Sequence, residues 1–290
     1  AGIAPADADA VASLFPVSRG RRIEITIDSE NDRYFADVFR VPCGDPTQID
    51  ALIHVASHDE DAGRVAFEAR SNAYYLLRVQ PELLRGGRFD VAIIESATLA
   101  FPVDGAGPGD IWSFFGDDRD GGARLHHGVD IFAPRGTPVV AASDSRVMRV
   151  GRRDLGGNVV VLHDDLRDIY LYYAHLDEHR TVQRRTVSAG DVIGTVGNTG
   201  NAITTPPHLH IGIYQGGWRN PVDPWGYFVP PATTQPAPPA DTALLGRWTA
   251  IGEATTARPA TPVPIVATAV VPNRNPFLRG AGDTFAGAEL

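Results

Sequence analysis

Two short stretches hold the residues whose types and spacing demand a chemical explanation. In RLHHGVDIF, Arg124 to Phe132, two adjacent histidines precede Asp130; in PPHLHIGIY, Pro206 to Tyr214, His208 and His210 flank one leucine. Side chains on a strand alternate between faces, so His208, His210, Gly212 and Tyr214 share one side and Leu209, Ile211 and Ile213 the other. One face is core and the other is a site. Residues two apart on a strand have Cα atoms ~7 Å apart, close enough for both imidazoles to reach one metal ion or its water. In the first stretch, His126 shares a face with Asp130 because they are four residues apart, whereas His127 points the other way. A fully extended His126–Asp130 span would be ~13 Å, too long for two ligands with metal bonds near ~2 Å, so the backbone must bend between them. Gly128 permits that bend.

Composition narrows the kind of site. The single cysteine, Cys43, rules out an internal disulfide framework and a cysteine-based structural zinc site. Any metal is therefore held by histidine and carboxylate. With 26 basic and 35 acidic residues and a formal net charge of −9, the chain has no general attraction to nucleic acid or anionic lipid, though a local basic patch remains compatible with it. No run of ~18 apolar residues exists to span a bilayer. No basic-then-apolar segment begins at Ala1, which neither shows nor excludes export, because such a signal is removed on secretion.

The elements that must position these residues read as strands throughout, giving an all-β expectation. RIEITID, YFADVFRV, ALIHVAS, RVAFEA, AYYLLRV and RFDVAII are short alternating or apolar runs separated by Gly, Pro, Asp and Asn, the pattern of a β-sandwich; residues 1–98 are assigned to it. A glycine- and aspartate-rich connection leads into a second, mostly β domain at residues 99–229. The segment from Val229 to Thr242 has five prolines and reads as an extended linker opening a tail at residues 230–290. In that tail LLGRWTAI and PIVATAVV are candidate strands that bury little by themselves.

Four blocks in order, HHGVDIFAPRGTPVVAASDSRV, YYAHLD, VSAGDVIGTVGNTG and PPHLHIGI, resemble the lysostaphin and LytM-type zinc metallopeptidases. The likeness runs from about Phe101 to Val229. It implies one zinc per chain held by His126, Asp130 and His210, with His175 and His208 as the catalytic histidines. It further implies a β-rich fold with a groove over the zinc, hydrolysis of peptide bonds in bacterial peptidoglycan, most often cross-links, and a secreted or cell-envelope location. Three protein ligands leave a fourth zinc position for water, as hydrolysis requires. The alternatives are a catalytically silent relative that regulates a wall enzyme or binds the wall, and a carbohydrate-binding protein with a structural metal. The segment YYLLRVQPELLRGGRFDVAI is similar to β-sandwich modules that precede such peptidases, and is read as a spacer.

Other conspicuous residues receive structural readings. GDVIGTVGNTGN lacks the Lys-Ser/Thr of a phosphate loop and is read as turns. His163 is read as part of a solvated turn. Tyr170, Tyr172 and Tyr173 are read as strand packing, with one of them a possible groove residue. Trp112, Phe114 and Phe115 are read as core or lid packing in the connector.

Overall fold

The structure is a computed structural model describing residues 2–4, 10–29, 34–42, 51–59, 63–81, 87–231 and 246–248. Cys43, PIVATAVV and most of the proline-rich segment lie outside the described residues. Strands dominate, and the chain divides into two compact units: Ala1–Ser96 with Pro230–Leu290, and Ala97–Val229.

The first unit contains β1 (Gly2–Ala4), β2 (Ala10–Val17), β3 (Arg21–Ser29), β4 (Tyr34–Val41), β5 (Ile53–Ser57), β6 (Arg64–Glu68), β7 (Ala73–Pro81) and β8 (Gly87–Ala97). Two antiparallel sheets result, ordered β1-β8-β3-β6 and β2-β7-β4-β5. The strand Gly246–Trp248, within LLGRWTAI, pairs with the free edge of β2. Alternation is clear in β3, where Ile23 and Ile25 are buried. They share one cluster with Val38, Val65, Tyr75 and Leu77, drawn from both sheets.

The second unit contains β9 (Ile111–Ser113), β10 (Asp118–Arg119), β11 (Arg124–Leu125), β12 (Val129–Phe132), β13 (Pro138–Val140), β14 (Ser145–Arg153), β15 (Gly157–Asp164), β16 (Ile169–Leu176), β17 (Thr186–Val187), β18 (Val192–Thr195), β19 (His208–Gln215) and β20 (Pro221–Val222), then one helical turn, α1 (Trp225–Phe228). Its main sheet runs β17-β14-β15-β16-β19-β12-β9, with β20 paired to β19. Leu209, Ile211 and Ile213 of β19 are fully buried in a cluster with Ile131, Leu171 and Tyr173. Each such aliphatic side chain contributes roughly 1.5–3 kcal/mol when removed from water. That burial sets the register of β19 and thereby turns its even-numbered residues to the opposite face.

Candidate metal centre

Register brings the two sequence stretches together. β12 and β19 pair antiparallel with Asp130 opposite His210 and Phe132 opposite His208, while β16 places Ala174 opposite His210. The chain bends at Gly128, just before β12, and the bend returns His126 to Asp130. Gly128 has a second role that spacing did not reveal. A Cβ there would lie 2.7 Å from His210 Cε1 and collide with the Ile211 carbonyl, so only glycine lets the histidine ring come this close.

Three donor atoms converge: His126 Nε2 is 2.9 Å from His210 Nδ1 and 3.1 Å from Asp130 Oδ1, which is 3.0 Å from His210 Nδ1. These separations are shorter than twice a ~2.0 Å zinc–ligand bond, so one ion can touch all three. No other group of three or more His, Cys, Asp or Glu among the described residues converges in this way. Burial by itself raises the Asp130 carboxyl; hydrogen bonds with His126 and His210 outweigh it and hold the group well below the usual carboxylate range. His210 is shifted down, first by burial and then by the nearby His126 and His208, against the pull of Asp130.

The outer contacts decide which nitrogens are free. His126 Nδ1 is 2.8 Å from the Phe114 carbonyl, which can only accept, so Nδ1 donates there and Nε2 is the nitrogen that faces the cluster. Arg119 donates to Asp130 Oδ2 at 3.0 Å and also to Ser113 Oγ, leaving Oδ1 to face the histidines. Arg119 is the residue that sequence reasoning missed. It lies in the aspartate-rich connector, and nothing in its spacing announces the contact.

His208 and His175 flank the cluster, both buried, with ring centroids 5.1 Å apart; that of His175 is 5.9 Å from His210. Each has Nδ1 at 2.9 Å from a backbone carbonyl, Pro206 for His208 and Thr199 for His175, which leaves Nε2 as an acceptor on both. His175 reaches this position through an irregular backbone. Pairing of β16 with β15 slips between Asn158 and Val160, and His175 sits at φ +61°, in the left-handed region. Non-glycine residues adopt that region at a cost of ~1–3 kcal/mol, and bulges of this kind re-aim side chains beside active sites. Burial foremost, then the neighbouring His210 and His208, lower the His175 pKa to about 4.

The remaining candidates lie around this centre. His127 is exposed, stacked 6.5 Å from Phe115 and outside the cluster. Phe132 stacks on His208 at 5.0 Å, and Trp112, 66% exposed, stacks on Phe132 at 4.8 Å. Phe114 packs against Trp225 instead. Tyr173 is core, with its hydroxyl accepting from Ala142 N; Tyr170 and Tyr172 lie on the histidine face. His163 is held by Asp165 at 2.6 Å and Asp168 at 3.3 Å, away from the cluster.

Residues 124–224 match the family profile described as Peptidase family M23. The solved catalytic domain of lysostaphin from Staphylococcus simulans is 31% identical to this chain over 39% of it and 87% of that domain, with a TM-score of 0.37. Residues 124–224 are an M23 peptidase segment. The DD-carboxypeptidase/endopeptidase Mpg of Neisseria meningitidis is 40% identical over 39% of this chain and 25% of its own length. The L-Ala–D-Glu endopeptidase of Bacillus subtilis is 37% identical over 37% of this chain and 35% of its own length. The chain thus spans between a quarter and about a third of these curated relatives, and the shared region is the M23 segment.

Proposed function

We propose that residues 97–229 form a zinc-dependent endopeptidase that hydrolyses peptide bonds of bacterial peptidoglycan, with cross-links as the favoured bonds and the cell envelope as its place of work. The observation that carries this reading is the convergence of His126 Nε2, Asp130 Oδ1 and His210 Nδ1 beside two further histidines whose Nε2 atoms are free. The donor set suits zinc, and one ion per chain would be held by those three residues. When bound, zinc supplies Lewis acidity toward water and the scissile carbonyl. The M23 match of residues 124–224 and relatives named as endopeptidases support the reaction class.

The chain's own residues then divide the work. His208, with Nδ1–H on the Pro206 carbonyl, has Nε2 available to take a proton from the attacking water and return it to the leaving amine. His175, lowered to about 4, is neutral at pH 7 and accepts a hydrogen bond at Nε2, orienting the water. Arg119 keeps the Asp130 carboxylate oriented. Stacking of Phe132 on one face of His208 restricts the ring and excludes water there.

The test is metal analysis combined with digestion of purified peptidoglycan, scored by newly released amino groups. One zinc per chain with release of peptide termini is expected. A fully zinc-loaded protein that releases none from any peptidoglycan type would favour the silent regulator and overturn the proposal.

A further inference from the structure

The sheet face that carries the histidines continues past them. On β19, Gly212 lies two residues beyond His210; it pairs with Tyr172 on β16, Tyr172 pairs with Val161 on β15, and Val161 with Arg149 on β14. This row therefore lies beside the cluster on the same face. The Tyr172 ring stands edge-on to His210 at 6.1 Å and to Trp218 at 6.2 Å. Along β14, Arg149, Gly151 and Arg153 follow the same alternation, opposite Val161, Val159 and Gly157.

This corner is held rigidly. A Cβ on Gly156 would collide with the Tyr172 hydroxyl, so the phenol packs on bare backbone of the β14–β15 turn. The carbonyl of the same glycine accepts from His175 N at 2.7 Å, tying the arginine-bearing hairpin to the bulge that presents His175.

The corner is basic. Arg119, Arg135, Arg146, Arg167 and Arg180 of this unit each pair with an acid. Arg149 and Arg153 are exposed, and neither has an acidic partner among the described residues. Both act electrostatically on Tyr172, where burial raises the hydroxyl and the two guanidinium groups pull it back. In a chain of net charge −9, two unpaired arginines beside an aromatic floor provide a forked donor site suited to a carboxylate.

The geometry points to a substrate subsite in which Tyr172 is the floor and Arg149 and Arg153 the rim, taking a carboxylate-bearing residue of the peptide adjacent to the scissile bond. This inference rests on the peptidase reading above and adds the polarity of the substrate to it.

The test separates binding from turnover. Two muropeptides identical except that one has a free glutamyl carboxylate and the other its carboxamide are titrated into the zinc-loaded full chain carrying His208→Ala, by calorimetry. The carboxylate form is expected to bind about three- to tenfold tighter, the scale of two partly exposed ion pairs, and the preference should shrink in 0.5 M NaCl. Adding Arg149→Gln and Arg153→Gln should abolish the preference, whereas Arg149→Lys with Arg153→Lys should retain part of it. Equal binding of the two peptides, or a preference that survives the glutamine pair, overturns the subsite. If the preference holds but wild-type protein cuts neither peptide nor intact peptidoglycan, the subsite stands and the peptidase reading fails.

Discussion

In the first unit the described strands bury one charged side chain, Arg21, whereas residues 97–229 bury His126, Asp130, Asp164, His175 and His208. Both regions are made by the same alternation of side chains on antiparallel strands. The second also holds every described non-glycine residue with positive φ, namely Asp120, Asp168, His175 and Arg184. Burying an imidazole or carboxylate without a partner costs several kcal/mol, so such residues persist only where partners or a ligand compensate. Asp164, for example, is fully satisfied by Arg167 and the backbone amides of Leu166 and Arg167. The His126–Asp130–His210 group instead turns three polar atoms toward one another. That difference separates a structural polar group from a site.

The sharpest way to break the comparison is to remove the converging donors. His126→Ala, Asp130→Ala or His210→Ala should each lower zinc affinity by more than ~100-fold, beyond the 10–100-fold typical of groups that merely orient a ligand. Zinc content after dialysis measures this, with exposed His127→Lys as the control expected to keep its metal. Loss of zinc from the control and its retention by His126→Ala would reverse the assignment. Next in size, His175→Ala and His208→Ala should keep about one zinc per chain while turnover falls ~100- to 10,000-fold. A variant with full zinc and wild-type turnover would remove that histidine from the mechanism.

A smaller effect tests packing. Gly128→Ala forces a methyl against the His210 ring and the Ile211 carbonyl, and should cost about 2 kcal/mol of stability in urea unfolding, within the usual range for overpacking, along with weaker zinc binding. An unchanged midpoint would show that the strand pair yields easily. The smallest effect concerns pH in chelator-treated protein. His175 titrates near 4 when folded and near its ordinary value of about 6.5 when unfolded, so the unfolded chain binds more protons between those values. Stability is therefore present above about pH 6.5 and lost as pH falls toward 4. His175→Gln should flatten that slope; an identical slope would assign it to other groups.

Much of this arrangement was legible in the residues themselves. Strict alternation in HLHIGI separates Leu209, Ile211 and Ile213 from His208 and His210, because the period of two is a local property of any extended strand. The glycine between His127 and Val129 likewise marks the bend. The aim of His175 was not legible: it depends on a register slip against β15, and YYAHLD contains neither glycine nor proline to mark one. Arg119 was hidden for a related reason, since its contact with Asp130 is made by folding of the connector rather than by spacing along a strand. The tyrosines show the limit of composition as a guide. Tyr172 and Tyr173 are adjacent and chemically alike, yet one borders the histidines and the other fills the core.

The donors that meet at the centre are far apart in the chain, His126 and His210 by 84 residues and Asp130 and His210 by 80. An unfolded polypeptide offering them to one ion would have to close a loop of that length, at an entropic cost of about 4 kcal/mol beyond the closure constant. Only insertion of β19 between β12 and β16 removes that cost, because it seats His210 directly across from Asp130. An ion held by these three groups is therefore captured late in folding, after the sheet has closed. Until β19 has joined the sheet, the chain therefore presents no assembled three-donor centre.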